Sequence, residues 1–465
     1  MNKIRLILAL SMLSLSIIGL YTWFPKEPLK AISSTQNTSA PTKSKLPASR
    51  LKPEVLKKLL DSKDINSAVI HVELGWKQQY EQYLQTQLPF NRVLEPQQMS
   101  QILDQIYRQT GKKSALIYAV PTPNHLELIL VAPGTSPVHK RIQAAKREDL
   151  VNLVSKFRAS IVNPNLPREQ YLKTGKELHE LLITPLEKNL QAQGINNLIF
   201  CLGGGLRTVP LAALHDGEKF LIEKYSLGII PAFNLLDFQI ANITQTQVLA
   251  MGASQFQTEP PLPAVPIEIS SIISDKWQGK SLLNQEFTPV NLKKQRAAYP
   301  FGIVHLATHA ELSPGSVEES YIQFWDTKVR LDELKTLELD RPPVQLLVLS
   351  ACRTAVEDPQ AELGFAGLAV QSGAKAAIAS LWSVDDAGTL PLMTQFYQKL
   401  KAIPIKSEAL RQTQIAMLKQ RVSLKNNPTI RGSSSLPPEI VANLDSRELS
   451  HPFYWAGFTL VGNPW

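Results

Sequence analysis

Four short, nearly uninterrupted apolar runs constrain the fold more than any other feature of this sequence: NLIFCL (197–202), GIVHLA (302–307), QLLVLS (345–350) and AAIASL (376–381). Runs of this length, bounded by Gly or polar turn residues, are the pattern of strands buried on both faces. Stretches of helical character lie around them, at 168–192, 361–372, 387–401 and 406–420. An alternation of apolar strands with helices predicts an α/β layer fold, a mostly parallel sheet with helices on both faces. Upstream, SALIYAVP and LELILVAP flank Pro123-Asn124 and predict a hairpin. Ser67–Leu74 has strand character, Trp76–Leu88 continues as an amphipathic helix, and Gln97–Gln109 is a second helix stopped by Gly111. A long helical stretch is expected at 138–159, a polar surface loop at 421–448, and a closing apolar strand in HPFYWAGFTLVG (451–462).

The charge is unevenly placed. Of the net +9, residues 1–65 carry +7, with eleven Lys/Arg against four Asp/Glu. A nucleic-acid-binding domain concentrates its basic residues on the folded part, so no nucleic-acid partner is expected. Two cysteines, Cys201 and Cys352, exclude a disulfide framework and any Cys-rich zinc site. At the N-terminus, Lys3 and Arg5 precede an apolar run from Leu6 to Phe24 with Tyr21, Trp23 and Phe24 at its far end. That is near the length needed to span a bilayer, with the positive flank cytoplasmic and the aromatics at the boundary. Residues 1–24 are read as an uncleaved signal anchor in preference to a cleaved signal peptide. Either way the body is exported, membrane-anchored or secreted. Residues 25–65 form a flexible basic linker, since Ser, Thr, Pro and Lys cannot bury enough surface to order.

Working residues of open α/β sheets gather where strands end. His309 follows GIVHLA and Cys352 follows QLLVLS. If those strands are neighbours, both side chains emerge at one edge, where imidazole can deprotonate the thiol. Taken singly, each residue has an ordinary reading, as a loop histidine or a buried thiol; the paired placement favours chemistry. His305, inside the strand, is read as structural. The glycine turn in CLGGGLRTVP (201–210) lacks the Gly-Lys-Ser/Thr ending of a phosphate-binding loop and is read as a strand-end turn.

IVHLATHA (303–310), LLVLSACRTA (346–355), GLAVQSGAKAAIASLWSVDD (367–386) and HPFYWAGFTLVG (451–462) together resemble the CHAT family of caspase-like peptidases, relatives of separase. ELHELLITPL (177–186), VPLAAL (209–214) and FLIEKYSLGIIPA (220–232) extend the likeness over roughly 110–465, after a helical leader at 66–110. The resemblance implies a caspase-like three-layer sandwich, with an inactive first half (110–270) and a half bearing the His-Cys dyad (271–465). It implies a cysteine endopeptidase without metal or organic cofactor, in which Cys352 attacks a peptide carbonyl and His309 shuttles the proton. The backbone N–H groups of Ala310 and Cys352 would form the oxyanion hole. Most members have Gly where this chain has Ala310, and Gly permits angles that Ala resists. Asp385 and Asp386, ordinary candidates for a helix N-cap, would by the same resemblance bind an Arg or Lys side chain before the scissile bond, with Trp382 as a wall. Glu357, Asp358 and Glu362 are alternative acids. The implied partners are a peptide or protein substrate and an activating protein. The other reading is a latent or inactive scaffold that binds a partner without cutting it.

Overall fold

The computed structural model describes residues 51–88, 93–273, 277–312, 317–350, 353–354, 359–384, 386–422 and 449–465. The strands are β1 (Ser114–Pro121), β2 (Leu126–Val131), β3 (Val138–Ile142), β4 (Asn197–Leu202), β5 (Ser226–Ile230), β6 (Val248–Gly252), β7 (Gly279–Leu283) and β8 (Ile303–Ala307). They continue with β9 (Ala310–Leu312), β10 (Tyr321–Gln323), β11 (Lys328–Arg330), β12 (Leu346–Leu349), β13 (Arg353–Thr354), β14 (Ala376–Ser380) and β15 (Phe458–Gly462). Helices α1 (Pro53–Asp61), α2 (Ile65–Tyr83), α3 (Pro96–Thr110), α4 (Arg147–Val162), α5 (Arg168–Leu182) and α6 (Thr184–Ala192) belong to the first half of the chain. The rest are α7 (Leu221–Lys224), α8 (Val265–Ile272), α9 (Pro289–Ala298), α10 (Pro359–Ser372), α11 (Asp386–Ala402) and α12 (Lys406–Leu418).

Eleven strands make one sheet in the order β3-β2-β1-β4-β5-β15-β14-β12-β8-β6-β7. All four apolar runs are in it, as β4, β8, β12 and β14. Strands β1, β4, β5 and β15 run parallel to one another, as do β14, β12, β8, β6 and β7. The two sets meet head to tail at an antiparallel seam, with Ala376 opposite Gly462 and Ser380 opposite Phe458. Strand ends in one set therefore open at the sheet edge opposite to those of the other. At the seam Gly462 has φ +94°, and a Cβ there would lie 2.7 Å from the Lys375 carbonyl oxygen; only glycine fits.

Both faces of the sheet are covered. On β1, Leu116, Tyr118 and Val120 point into a core shared with Leu56, Val69, Trp76 and Leu103 of α1–α3. Ala115, Ile117 and Ala119 point the other way, into the core formed with Phe157, Leu178 and Leu186 of α4–α6. The period of two along the strand thus separates two helical layers.

Three expectations are corrected. The stretch 25–65 is not flexible throughout: Pro53–Asp61 form α1, whose Leu56 and Leu60 are buried in the core with α2 and α3, so apolar packing orders its second part. Ser67–Leu74 is part of α2, not a strand. Its buried residues Ala68, Val69, Val72, Glu73, Trp76 and Tyr80 recur at helical spacing, and the Asp64 side chain caps the first turn by accepting from the Ser67 N–H at 3.0 Å. The β-branched content suggested a strand, and tertiary packing overrode that local preference. The stretch 138–159 is not one helix: Val138–Ile142 is the edge strand β3, paired to β2 with Leu126 opposite Ile142, and α4 starts only at Arg147. Of the loop expected at 421–448, residues 423–448 lie outside the described residues, as does the apolar run Leu6–Phe24. Among the described residues no helix is long and apolar enough to cross a membrane.

Candidate active site

Strands β8 and β12 are direct neighbours, with Leu346 opposite Ile303 and Leu349 opposite Leu306. Their C-terminal ends therefore sit side by side, as do the segments that leave them. After β8 the chain turns through Thr308, whose hydroxyl donates to the Gln323 carbonyl at 2.6 Å. His309 follows, half-buried, and then β9. A small second sheet, ordered β11-β10-β9-β13, rises from these segments.

His309 is held from two sides. Its Nε2 lies 2.8 Å from the Pro260 carbonyl oxygen, and its ring meets Phe256 edge-on with centroids 4.8 Å apart. A carbonyl oxygen can only accept, so Nε2 carries the proton, and in the neutral ring Nδ1 is left as the basic nitrogen. The His309 carbonyl in turn accepts from the Gln323 N–H at 2.9 Å.

The backbone after His309 is ordinary strand. Ala310 pairs with Ile322 and has no positive φ, so this position does not call for glycine. Because the flanking His309–Gln323 pair is hydrogen-bonded across the ladder, alternation makes Ala310–Ile322 the pair whose polar groups point outward. The Ala310 N–H is accordingly turned away from β10, toward the side where β13 runs. On that side Arg353 lies opposite Glu311 and Thr354 opposite Leu312. On the other side of Cys352, the Ser350 N–H donates to the Leu306 carbonyl at 3.2 Å. Cys352 itself, Glu357, Asp358 and Asp385 lie outside the described residues. So do the side chains of Glu362, in α10, and of Asp386, the first residue of α11.

Trp382 lies two residues past β14, at the same sheet edge as the ends of β8 and β12. It is buried, donates its indole N–H to the Phe453 carbonyl at 2.9 Å, and has the Arg158 guanidinium 5.7 Å from its ring centroid. Arg158 also donates to the carbonyls of Thr208 and Leu381, at 2.6 and 2.7 Å.

His305 is fully buried beneath the site. Its Nε2 stands 2.9 Å from a Glu268 carboxylate oxygen, without the alignment of a good hydrogen bond, and its Nδ1 is 3.2 Å from the Tyr397 hydroxyl. Burial, with the nearby Glu268 carboxylate adding to it, pushes the Tyr397 phenol well above its ordinary range. This cluster fixes β8 against α8 and α11, and it matches the structural role expected of His305. Sequence reading found neither Glu268 and Tyr397 nor the clasp of Phe256 and Pro260. These contacts link distant segments, and no local pattern marks them.

The family model of the CHAT domain matches residues 172–463. The chain belongs to the CHAT family. The match starts within α5, so α1–α4 and β1–β3 precede it. No curated protein matches the chain in sequence. Among solved structures, the CHAT protein is similar to the Saccharomyces cerevisiae separase–securin complex, with a TM-score of 0.50 and 11% identity over 87% of this chain and 34% of the matched one. A second determination of that complex gives 0.49 and 10% over 87% and 34%. The complex of the pro- and mature domains of Porphyromonas gingivalis RgpB gives 0.34 and 10% over 75% and 78%. The chain spans about a third of the length of the matched chain in the separase complex. At such identity the likeness is one of fold, and that fold is the caspase-like α/β sandwich.

Proposed function

We propose that this CHAT protein is a cysteine endopeptidase in which Cys352 is the nucleophile and His309 moves the proton. The observation that carries the reading is the fixed tautomer of His309 at the end of a strand adjacent to the one preceding Cys352. In this mechanism Nδ1 takes the Cys352 thiol proton, and the thiolate attacks the scissile carbonyl carbon. The oxyanion is held by the N–H groups of Ala310 and Cys352, donors of a kind worth about 10²–10³ in rate. His309 returns its proton to the leaving amine as the C–N bond breaks, leaving a thioester. Water, deprotonated by His309, then releases the acid and regenerates the thiol. Asp385 or Asp386, with Trp382 as a wall, would favour Arg or Lys before the scissile bond.

The test is labelling of the full chain with an Arg-directed acyloxymethyl ketone, read by mass spectrometry. A covalent adduct on Cys352 is expected, lost in Cys352→Ala and strongly slowed in His309→Ala. No adduct with this probe or with probes carrying acidic or apolar residues would refute the peptidase and leave a partner-binding scaffold. Labelling only by probes with acidic or apolar residues would refute the basic specificity alone. A partner protein belongs to the proposal too, since the similar separase structure is a complex with securin. We place the chain at a membrane through the apolar run Leu6–Phe24, with the body exported; release of the full chain from membranes by alkaline carbonate would contradict this.

A further inference from the structure

At the opposite sheet edge, where β1 and β4 end, lies a second site unrelated to His309. A cavity of about 410 Å³ opens there, within the size range of small-molecule sites. Its wall includes the Gly203–Gly204 turn, Thr122, Arg147 and Gln78 and Gln82 of α2, and among the described residues no Asp or Glu. Behind the turn sits Arg207, 1% exposed. Its Nη2 donates to the Gln79 side-chain oxygen at 2.8 Å, and its guanidinium lies 5.7 Å from the Tyr80 ring centroid. Among the described residues its Nε and Nη1 have no hydrogen-bond partner. A buried guanidinium with two unused donors costs free energy unless an acceptor comes to it.

The two arginines converge on one spot. A Cβ placed on Gly204 would lie 3.3 Å from Arg147 Nη2 and 3.5 Å from Arg207 Nη1. Two guanidinium groups whose tips come this close to one point suit a doubly charged oxyanion, since such groups form planar, charge-assisted hydrogen bonds. Gln78 lines the same cavity, and its buried side-chain oxygen has no partner among the described residues. With Gln82 and Thr122 it suits a hydrogen-bonding body attached to that anion. Glu148 and Asp149 follow Arg147 on α4 but are exposed and do not line the cavity.

We propose that this cavity binds a small phosphate monoester, with its phosphate between Arg147 and Arg207 and its polar body against Gln78 and Gln82. The glycine turn thus has a use after all, through the arginines around it and not through a Gly-Lys-Ser/Thr loop. The seam between β14 and β15 puts this cavity and the His309 site at opposite edges of the sheet.

Gly204→Ala is the sharpest perturbation. Gly204 has no positive φ, and among the described residues the atoms near its added methyl group are the tips of Arg147 and Arg207. The fold is spared while the anion's place is filled. Arg147→Gln changes an exposed residue and is a second fold-sparing variant. The full chain would be titrated with ribose 5-phosphate, inorganic phosphate and glutarate by calorimetry. The expected result is saturable binding of ribose 5-phosphate, tighter than inorganic phosphate. Each variant should weaken it at least tenfold, with its ligand-free melting temperature unchanged. No saturable binding of either phosphate, or binding unaffected in both variants, would overturn the proposal. Glutarate binding as tightly as the phosphate ester would overturn the assignment to a phosphate.

Discussion

Replacing Glu73 by Gln tests how α2 is fixed to the sheet. Glu73 is fully buried on α2, and each of its oxygens takes two donors. Oε1 accepts from the Tyr118 hydroxyl at 2.7 Å and the Phe233 N–H at 2.9 Å. Oε2 accepts from the Asn234 N–H at 3.0 Å and the Asn234 side-chain amide at 2.8 Å. One carboxylate thus joins α2, β1 and the exit from β5. A glutamine of the same shape keeps one oxygen and sets an NH₂ group, donor only, against the other two donors. At about 1.5 kcal/mol for each lost bond to a charged acceptor, the minimum cost is about 3 kcal/mol. With an unfolding entropy of about 2.1 cal/mol/K per residue over about 400 residues, that lowers Tm by about 3–4 °C. Differential scanning calorimetry reads the global effect, and hydrogen exchange at the Phe233 and Asn234 amides reads the local one. Tyr118→Phe, made alone and combined with Glu73→Gln, should show a non-additive pair, because both changes touch one oxygen. An unchanged Tm together with unchanged protection of both amides would refute the reasoning.

Other outcomes follow from the same physical picture. Gly462→Ala should cost at least about 1–3 kcal/mol, since it combines a left-handed backbone with a Cβ 2.7 Å from the Lys375 carbonyl oxygen; a thermal melt equal to wild type would contradict the seam geometry. Burial raises the Asp216 carboxyl, but the Lys224 ammonium and the N–H groups of Lys219 and Glu218 outweigh it and hold the group below the usual 3.8. Its stabilisation is therefore full above that value and lost as pH falls through the lower native one. The Tm gap between wild type and Asp216→Asn should accordingly be widest near neutral pH and narrow progressively as pH falls below 3.8; a gap that widens in acid would refute this.

The parts of the fold legible in the sequence were those written in local pattern. The apolar runs that became β4, β8, β12 and β14 are too short and too continuous for anything but buried strands. The hairpin of β1 and β2 carried its own turn residues. Ser67–Leu74 misled because Val69, Ile70 and Val72 favour strands when read alone, and only packing against Leu116 and Tyr118 makes the helical period decisive. Val138–Ile142 misled for the converse reason: its pairing partner, β2, lies across a turn, and its half-exposed polar residues give no apolar alternation. At the site, the histidine was legible from strand-end logic, while its tautomer depends on Pro260, forty-nine residues earlier in the chain. Arg207 was invisible in sequence as a ligand group, because nothing local says that an arginine three residues past a glycine turn will be buried beside another.

The position of β15 has a consequence for synthesis. Of the eleven strands it is the last to leave the ribosome, yet it lies in the middle of the sheet, between β5 and β14. Until it arrives, both of those strands present open edges, which are templates for pairing with other chains. The first five strands can pair with one another as they emerge, but the second set cannot be joined to them. Joining the halves is therefore a late event that must compete with association between nascent chains. Whatever shields the edges of β5 and β14 in that interval favours the native joining over association, until β15 reaches its slot.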